Sequence, residues 1–249
     1  MIHLHLIGIG TGNPDHLTRQ ATKALNAADL VLIPRKGEGK ADLAELRREI
    51  CAEVITNPLT RIAEFDLPLR DSANPDYARA VDDWHSSIAQ TWAATISAHP
   101  AARDIAVLVW GDPSLYDSTL RIAARLDAQV TVIPGITSLQ ALTAAHAIPL
   151  NDIGAPVTIT TGRQLTDHGW PADATTLAVM LDGNCAFQTL DPAGISIWWG
   201  AYVGMKEQII LNGALADIGP KIIETRATAR AAHGWIMDIY ILRRAVHIT

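Results

Sequence analysis

Residues 104–118 read DIAVLVWGDPSLYDS. Positions 105–110 form an unbroken apolar run, too short for a helix that must bury itself and the right length for a strand covered on both faces. Gly111 then frees the backbone, Asp112 can bond its own turn, and Pro113 bars Asp112 from helical angles. The chain must therefore leave the sheet at the carboxyl end of the strand. Open α/β sheets keep their ligands at that edge. Taken alone, GDPS suits a capped strand-to-helix turn as well as a ligand loop, so the surrounding chain has to decide.

Working outward, the same strand–loop–helix pattern recurs. Residues 3–9 alternate with an apolar bias and run into Gly8-Ile9-Gly10-Thr11-Gly12-Asn13-Pro14. Thr18 suits an N-cap, and Ala21, Ala24, Leu25 and Ala28 supply the buried stripe of a helix ending at Asp29. A second strand is predicted over 30–34. It is followed at the same carboxyl edge by the charged loop Arg35-Lys36-Gly37-Glu38-Gly39-Lys40. Leu43, Leu46, Arg47 and Ile50 mark a helix, 54–59 a strand, and 75–98 a long helix with Trp84, Ile88, Trp92 and Ile96 at spacing of four. Beyond the opening stretch, 118–126 reads as helix and 130–134 as a buried strand ending in Pro134-Gly135-Ile136-Thr137-Ser138. Thr137 or Ser138 caps a helix through Ala147. This alternation predicts a parallel sheet with helices on both faces.

After residue 154 the apolar runs at 156–161, 177–181, 195–199, 208–211 and 235–242, with a helix across 215–232, predict a second, mixed-sheet domain. The expected architecture is α/β with two domains, residues 1–150 and 151–249, and a ligand cleft between them.

A chain of 249 residues with 49% hydrophobic content can bury a sizeable core. Its formal charge of −6 argues against nucleic acid held by bulk basic charge, so any polyanion site must be local. Cys51 and Cys185 lack CxxC spacing, and two buried thiols in a reducing compartment are expected. The MIHLHLIGIG start has no basic region or cleavage site, and no apolar run approaches the ~20 residues of a membrane span, so a soluble, cytoplasmic protein is expected with no membrane partner. His3 and His5 share a strand face without a third ligand placed by sequence, which favours strand histidines over a metal site.

GxGxG after a first strand also suits dinucleotide binding. That fingerprint wants a third small residue where Asn13 stands and an acid closing strand two, and Asp29 precedes the strand instead. Arg35 and Lys36 leave an NADP-dependent oxidoreductase as a remoter alternative.

The ordered set GIGTGNPDHLT (8–18), WGDPSLYDS (110–118) and PGITS (134–138) resembles the tetrapyrrole (corrin/porphyrin) methylase family. TLAVMLDGN (176–184) and GMKEQIILNG (204–213) stand where that family makes its later cofactor contacts. Within the family, IPRKGEGKADLAELRREIC (33–51) and GWIMDIYILRR (234–244) resemble a corrin-pathway enzyme that methylates carbon 1 of precorrin-5 and releases acetate.

The resemblance implies a two-domain tetrapyrrole methylase-like fold and an S-adenosylmethionine cofactor, yielding S-adenosylhomocysteine. The cofactor would be held near Trp110, Gly111, Asp112, Leu115, Thr137, Ser138, Leu181 and Tyr202. It also implies a homodimer of the cobalamin pathway. Methyl transfer from a sulfonium depends on positioning and requires no metal. Gly10, Arg35, Lys36 and Lys40 are the candidates for holding the polycarboxylate substrate. Deacetylation needs a base and oxyanion stabilisation, for which Tyr116, Asp117 and Asp182 are candidates. Thr11 departs from the family's commoner GxGPG loop. A methylase of the same fold acting on another precorrin, on RNA or on protein is the nearer alternative.

Overall fold

The computed structural model describes residues 1–35, 41–71, 73 and 75–244, the side chains of 41–43 excepted. Its contacts divide the chain into two units, Met1–Thr137 and Ser138–Thr249.

The first unit runs β1 (Ile2–Gly8), α1 (Arg19–Ala27), β2 (Leu30–Arg35), α2 (Ala41–Val54), β3 (Arg61–Asp66), α3 (Tyr77–Ser97), β4 (Asp104–Val109), α4 (Thr119–Ala123) and β5 (Ala128–Ile133). The strands form one sheet in the order β3-β2-β4-β1-β5, every pair parallel. On β4, Ile105, Val107 and Val109 join Leu4, Leu6, Leu30 and Leu32 beneath Ile88, Trp92 and Ile96 of α3. Ala106 and Leu108 face the other way, with Ile7, Val31 and Ile33 beneath Leu25 and Ile50 of α1 and α2. The unbroken apolar run thus reflects a strand covered on both faces. Thr18 Oγ1 accepts the Ala21 amide at 3.0 Å, as an N-cap should.

One strand lies later than expected. α2 continues through Val54, and the next residues are tied to Asn26, whose Nδ2 donates to the Val54 carbonyl at 2.8 Å while its Oδ1 accepts the Thr56 amide at 2.7 Å. The strand is β3, an edge strand with Ala63 and Phe65 buried and Ile62 exposed. At the amino edge of the sheet, Asp29 Oδ2 accepts the amides of Asp104 and Arg103 at 3.0 and 2.7 Å, which holds its carboxyl below the ordinary value. Asp29 is thereby committed to joining β2 to β4, far along the strands from the loops a dinucleotide would use. His3 and His5 both approach Asp104 Oδ1, at 3.4 and 3.1 Å.

The second unit comprises α5 (Ser138–His146), β6 (Val157–Thr161), α6 (Gly162–His168), β7 (Thr176–Met180), β8 (Ile195–Ala201), β9 (Ile209–Ala214), α7 (Leu215–His233) and β10 (Asp238–Arg244). Its sheet order is β6-β7-β10-β8-β9, with β6 and β7 parallel and the remaining pairs antiparallel. The division falls before α5 rather than at residue 150 because α5 packs on this sheet. His146 Nε2 lies 3.0 Å from the Trp199 carbonyl, and a Cβ on Gly200 would meet Leu142 at 2.7 Å. Leu177, Val179, Phe187, Ile197, Trp199, Ile222 and Tyr240 form the core beneath α6 and α7. Cys51 and Cys185 are free and buried, and burial pushes both thiols up to about 11. No described helix is long and apolar enough to cross a membrane.

Candidate functional site

Three loops leave the carboxyl edge of the first sheet after β1, β4 and β5, and they touch through glycine. A Cβ on Gly8 would lie 2.6 Å from the Gly135 nitrogen, and one on Gly135 would lie 2.0 Å from the Gly111 oxygen. No side chain fits at either position, so the three backbones meet directly. Gly10 and Gly111 add a reciprocal bridge, Gly111 N donating to the Gly10 oxygen at 2.7 Å and Gly10 N to the Gly111 oxygen at 3.3 Å. Gly111 has φ +62°, yet a Cβ there would meet only Thr137, at ordinary contact distance of 3.6 Å. Conformation, not crowding, demands glycine at 111.

Asp112 fastens the junction. Its Oδ2 accepts the Gly135 amide at 2.8 Å and its Oδ1 accepts the Ser114 amide at 2.8 Å and the Ser114 hydroxyl. Burial works to raise the Asp112 pKa, but these bonds prevail and hold it below the ordinary value. Leu115 N donates to the Asp112 carbonyl at 3.2 Å, which closes the turn and delivers Tyr116 with φ +49° and an exposed side chain. Asp117 Oδ1 accepts the Thr119 amide at 2.6 Å, a local turn that leads the chain into α4. Trp110 lies under the Arg47 guanidinium, 4.9 Å from the ring centroid. Burial lowers the Arg47 pKa to about 10, against the opposing charge of Asp117. The structure thus brings Gly10, Trp110, Gly111, Asp112, Leu115, Tyr116, Asp117 and Thr137 to one sheet edge, together with Gly8 and Gly135 of the same loop motifs and with Arg47, which the sequence marks only as a helix residue.

In the first loop, Thr11 Oγ1 lies 3.1 Å from His16 Nδ1, and this bond braces the backbone where a proline ring would otherwise do so. Arg35 ends β2 at the same edge, where it pairs with Asp66 at 3.1 Å and Glu64 at 3.8 Å. Lys36 and Lys40 lie outside the described residues.

In the second unit, Leu181 and Tyr202 directly follow β7 and β8, each with φ +51°. A left-handed residue that is not glycine costs of order 1–3 kcal/mol and persists only where its surroundings enforce it. Leu181 is 66% exposed, so its own packing does not offset that cost. The enforcement comes from below. Asp182 is buried, its Oδ1 accepting the Asn184 amide at 2.9 Å and its Oδ2 the Ala186 amide and the Tyr240 hydroxyl, both at 2.6 Å. Gly162 leaves it room, since a Cβ there would sit 2.5 Å from the carboxyl carbon. Arg226 donates to the Asp182 carbonyl at 3.0 Å and forks onto Asp238 at 2.9 and 3.3 Å, while the Trp199 indole donates to Asp238 at 3.0 Å. Burial raises the Asp238 pKa against these bonds. Burial also pulls the Arg226 pKa down, but the Asp238 carboxylate outweighs it and the net shift is upward.

Tyr202 donates its amide to the Met237 carbonyl at 2.9 Å and its hydroxyl to the Trp235 carbonyl at 2.6 Å. Asp117 and Asp182 therefore each hold local backbone, while Tyr116 is an exposed residue of the loop that follows Gly111. Ser138 opens α5. Among the described residues no group of three or more His, Cys, Asp or Glu is placed to hold a metal ion.

The model of the tetrapyrrole (corrin/porphyrin) methylases matches residues 3–219. A precorrin-6A synthase [deacetylating] from Sinorhizobium sp is 50% identical over 246 residues, which cover 96% of this chain and 94% of that protein. The crystal structure of a cobalamin synthesis related protein (CobF) from Corynebacterium diphtheriae superposes with a TM-score of 0.82 at 38% identity, covering 98% of this chain and 99% of that one. A uroporphyrin-III C-methyltransferase from Thermus thermophilus, crystallised with S-adenosylhomocysteine, shares the fold, with a TM-score of 0.61 at 19% identity over 97% of this chain and 92% of that one. This chain belongs to the tetrapyrrole (corrin/porphyrin) methylase family.

Proposed function

We propose that this protein is an S-adenosylmethionine-dependent methyltransferase of cobalamin biosynthesis, converting precorrin-5 to precorrin-6A by methylating carbon 1 and releasing the acetyl group as acetate. The observation that carries the reading is the glycine junction of Gly8, Gly111 and Gly135, which builds a side-chain-free ledge at the carboxyl edge of a parallel sheet. Half-identity to a precorrin-6A synthase [deacetylating] over nearly the whole chain supports the choice of substrate.

The bound cofactor supplies an electrophilic methyl group on sulfur. Backbone groups of Gly111, Asp112 and Leu115, with Trp110, Thr137 and Ser138, orient it, and main chain near Leu181 and Tyr202 completes the set. Such orientation is worth roughly 7–11 kcal/mol when geometry is ideal. Gly10 and the bases Arg35, Lys36 and Lys40 hold the macrocycle and its carboxylates. Deacetylation adds water to a ketone. Tyr116 stabilises the developing oxyanion or moves its proton, and Asp117 and Asp182 serve by keeping the flanking turns in place. The protein works as a cytoplasmic homodimer without a nucleic-acid or membrane partner.

The test is mass spectrometry of precorrin-5 incubated with the protein and S-adenosylmethionine. The expected product has gained one methyl and lost one acetyl group, with acetate and S-adenosylhomocysteine formed in equal amounts. An unmodified substrate, or methylation with the acetyl group retained, overturns the assignment. Binding of NADPH in place of S-adenosylhomocysteine would restore the oxidoreductase alternative.

A further inference from the structure

We propose that Arg226, a buried residue of α7, is a positioning residue for the cofactor: its guanidinium holds the exposed, left-handed Leu181 in the conformation that presents main chain to the ligand. The inference rests on the reading of the site given above.

Two features of Leu181 need an explanation. Its φ of +51° is unfavourable for a branched side chain, and its side chain is largely in solvent, so the conformation is not the by-product of packing a leucine. The turn that follows carries a second left-handed residue, Cys185 at φ +57°. Something must hold residues 181–185 against relaxation, and the structure offers one continuous assembly. The Asp182 carboxylate closes the turn from within through the Asn184 and Ala186 amides, and Tyr240 pins that carboxylate to the sheet. Arg226 Nη2 pins the Asp182 carbonyl, one residue past Leu181, and Nε and Nη2 grip Asp238.

The assembly reaches the other strained position as well. Asp238 adjoins Met237, whose carbonyl accepts the amide of Tyr202, itself at φ +51°. One buried cation therefore links the ends of β7 and β8 through two short paths, Leu181–Asp182–Arg226 and Tyr202–Met237–Asp238–Arg226. The Arg226 and Asp238 side chains are 10% and 7% exposed, so neither has a solvent-facing role to account for it. A planar donor fork is suited to this task because it meets a carboxylate and a carbonyl at fixed relative angles, which an ammonium does not.

The experiment is calorimetric titration of S-adenosylhomocysteine into the parent protein and Arg226→Gln, Arg226→Lys, Asp238→Asn and Ile222→Val, with thermal unfolding of each. Arg226→Gln is expected to weaken binding by about tenfold or more, the equivalent of about 1.4 kcal/mol, with Arg226→Lys recovering part of the loss. Ile222→Val, one turn away in the same core, is expected to lower the unfolding temperature and leave affinity alone. If Arg226→Gln does not fold, Arg226→Lys and Asp238→Asn carry the test, each expected to weaken binding.

Leu181→Gly supplies a second readout, since glycine adopts the left-handed angle without enforcement. In that background the loss caused by the Arg226 variant is expected to shrink. Affinity within about twofold of the parent in the Arg226 variants, or strictly additive losses with Leu181→Gly, overturns the proposal. A parent protein that does not bind S-adenosylhomocysteine overturns the functional reading itself, a result separate from both.

Discussion

A Cβ built on Gly135 would stand 2.0 Å from the carbonyl oxygen of Gly111, so the loops after β5 and β4 meet with no room for a methyl group. Gly135→Ala must push two backbones apart, and neither can yield as a flexible side chain would. Overpacking costs typically 1–3 kcal/mol, and a loss of about 3 kcal/mol is expected here. Chemical denaturation measures it, and a stability equal to the parent's would show that the loops part freely.

Gly111→Val tests conformation in place of space. Its φ of +62° is poorly open to a β-branched residue, although a Cβ would meet only Thr137. The fold is expected to survive and S-adenosylhomocysteine affinity to collapse. An affinity within about twofold of the parent would make Gly111 a turn residue and nothing more.

Asp112 makes the junction sensitive to acid. Its folded pKa lies below the ordinary 3.8, so its contribution is complete above that value and is lost as pH falls through the lower folded value. Asp112→Asn should remove this part of the acid-side decline while lowering stability at neutral pH. Denaturation at a series of pH values from about 3 to 7 checks it, and parallel curves for the two proteins would contradict it.

Tyr240→Phe removes one donor from a buried carboxylate that keeps its two amide partners. A loss of about 1.5–3 kcal/mol is expected, the usual scale for a hydrogen bond to a charged group. Equilibrium unfolding reads it directly.

Lys36→Ala and Lys40→Ala are expected to raise the KM for precorrin-5 about tenfold and to spare cofactor binding, because charge-assisted bonds to carboxylates contribute roughly 1.5–3 kcal/mol. Added salt should narrow the difference from the parent. Steady-state methylation at two salt concentrations, beside S-adenosylhomocysteine titration, separates a substrate role from a cofactor role and from simple solvated charge.

Much of the first unit is legible in the chain because both faces of its central strands are buried, which writes β1, β2 and β4 as apolar runs closed by glycine, proline or charge. β3 escapes notice because Val54 and Ile55 complete α2 and its exit, while an edge strand such as Arg61–Asp66 buries only alternate residues. α6 is short, buries little beyond Leu165 and is capped by Thr161, so it carries almost no periodic signal. The loops of the site are readable from Gly8, Gly111 and Gly135 in three local motifs. The support beneath Leu181 is not, since Asp182, Arg226, Asp238 and Tyr240 come from three separate elements and meet only in the folded second unit.

The reciprocal hydrogen bonds between Gly10 and Gly111 act as a clasp of fixed length. One inserted residue before either glycine would set the wrong atoms opposite each other and leave an amide and a carbonyl without partners. Evolution of new substrate choice, or its engineering by loop grafting, is therefore barred from changing the spacing between β1 and Gly10 or between β4 and Gly111. Variation in length has to enter outside the two segments that the clasp measures.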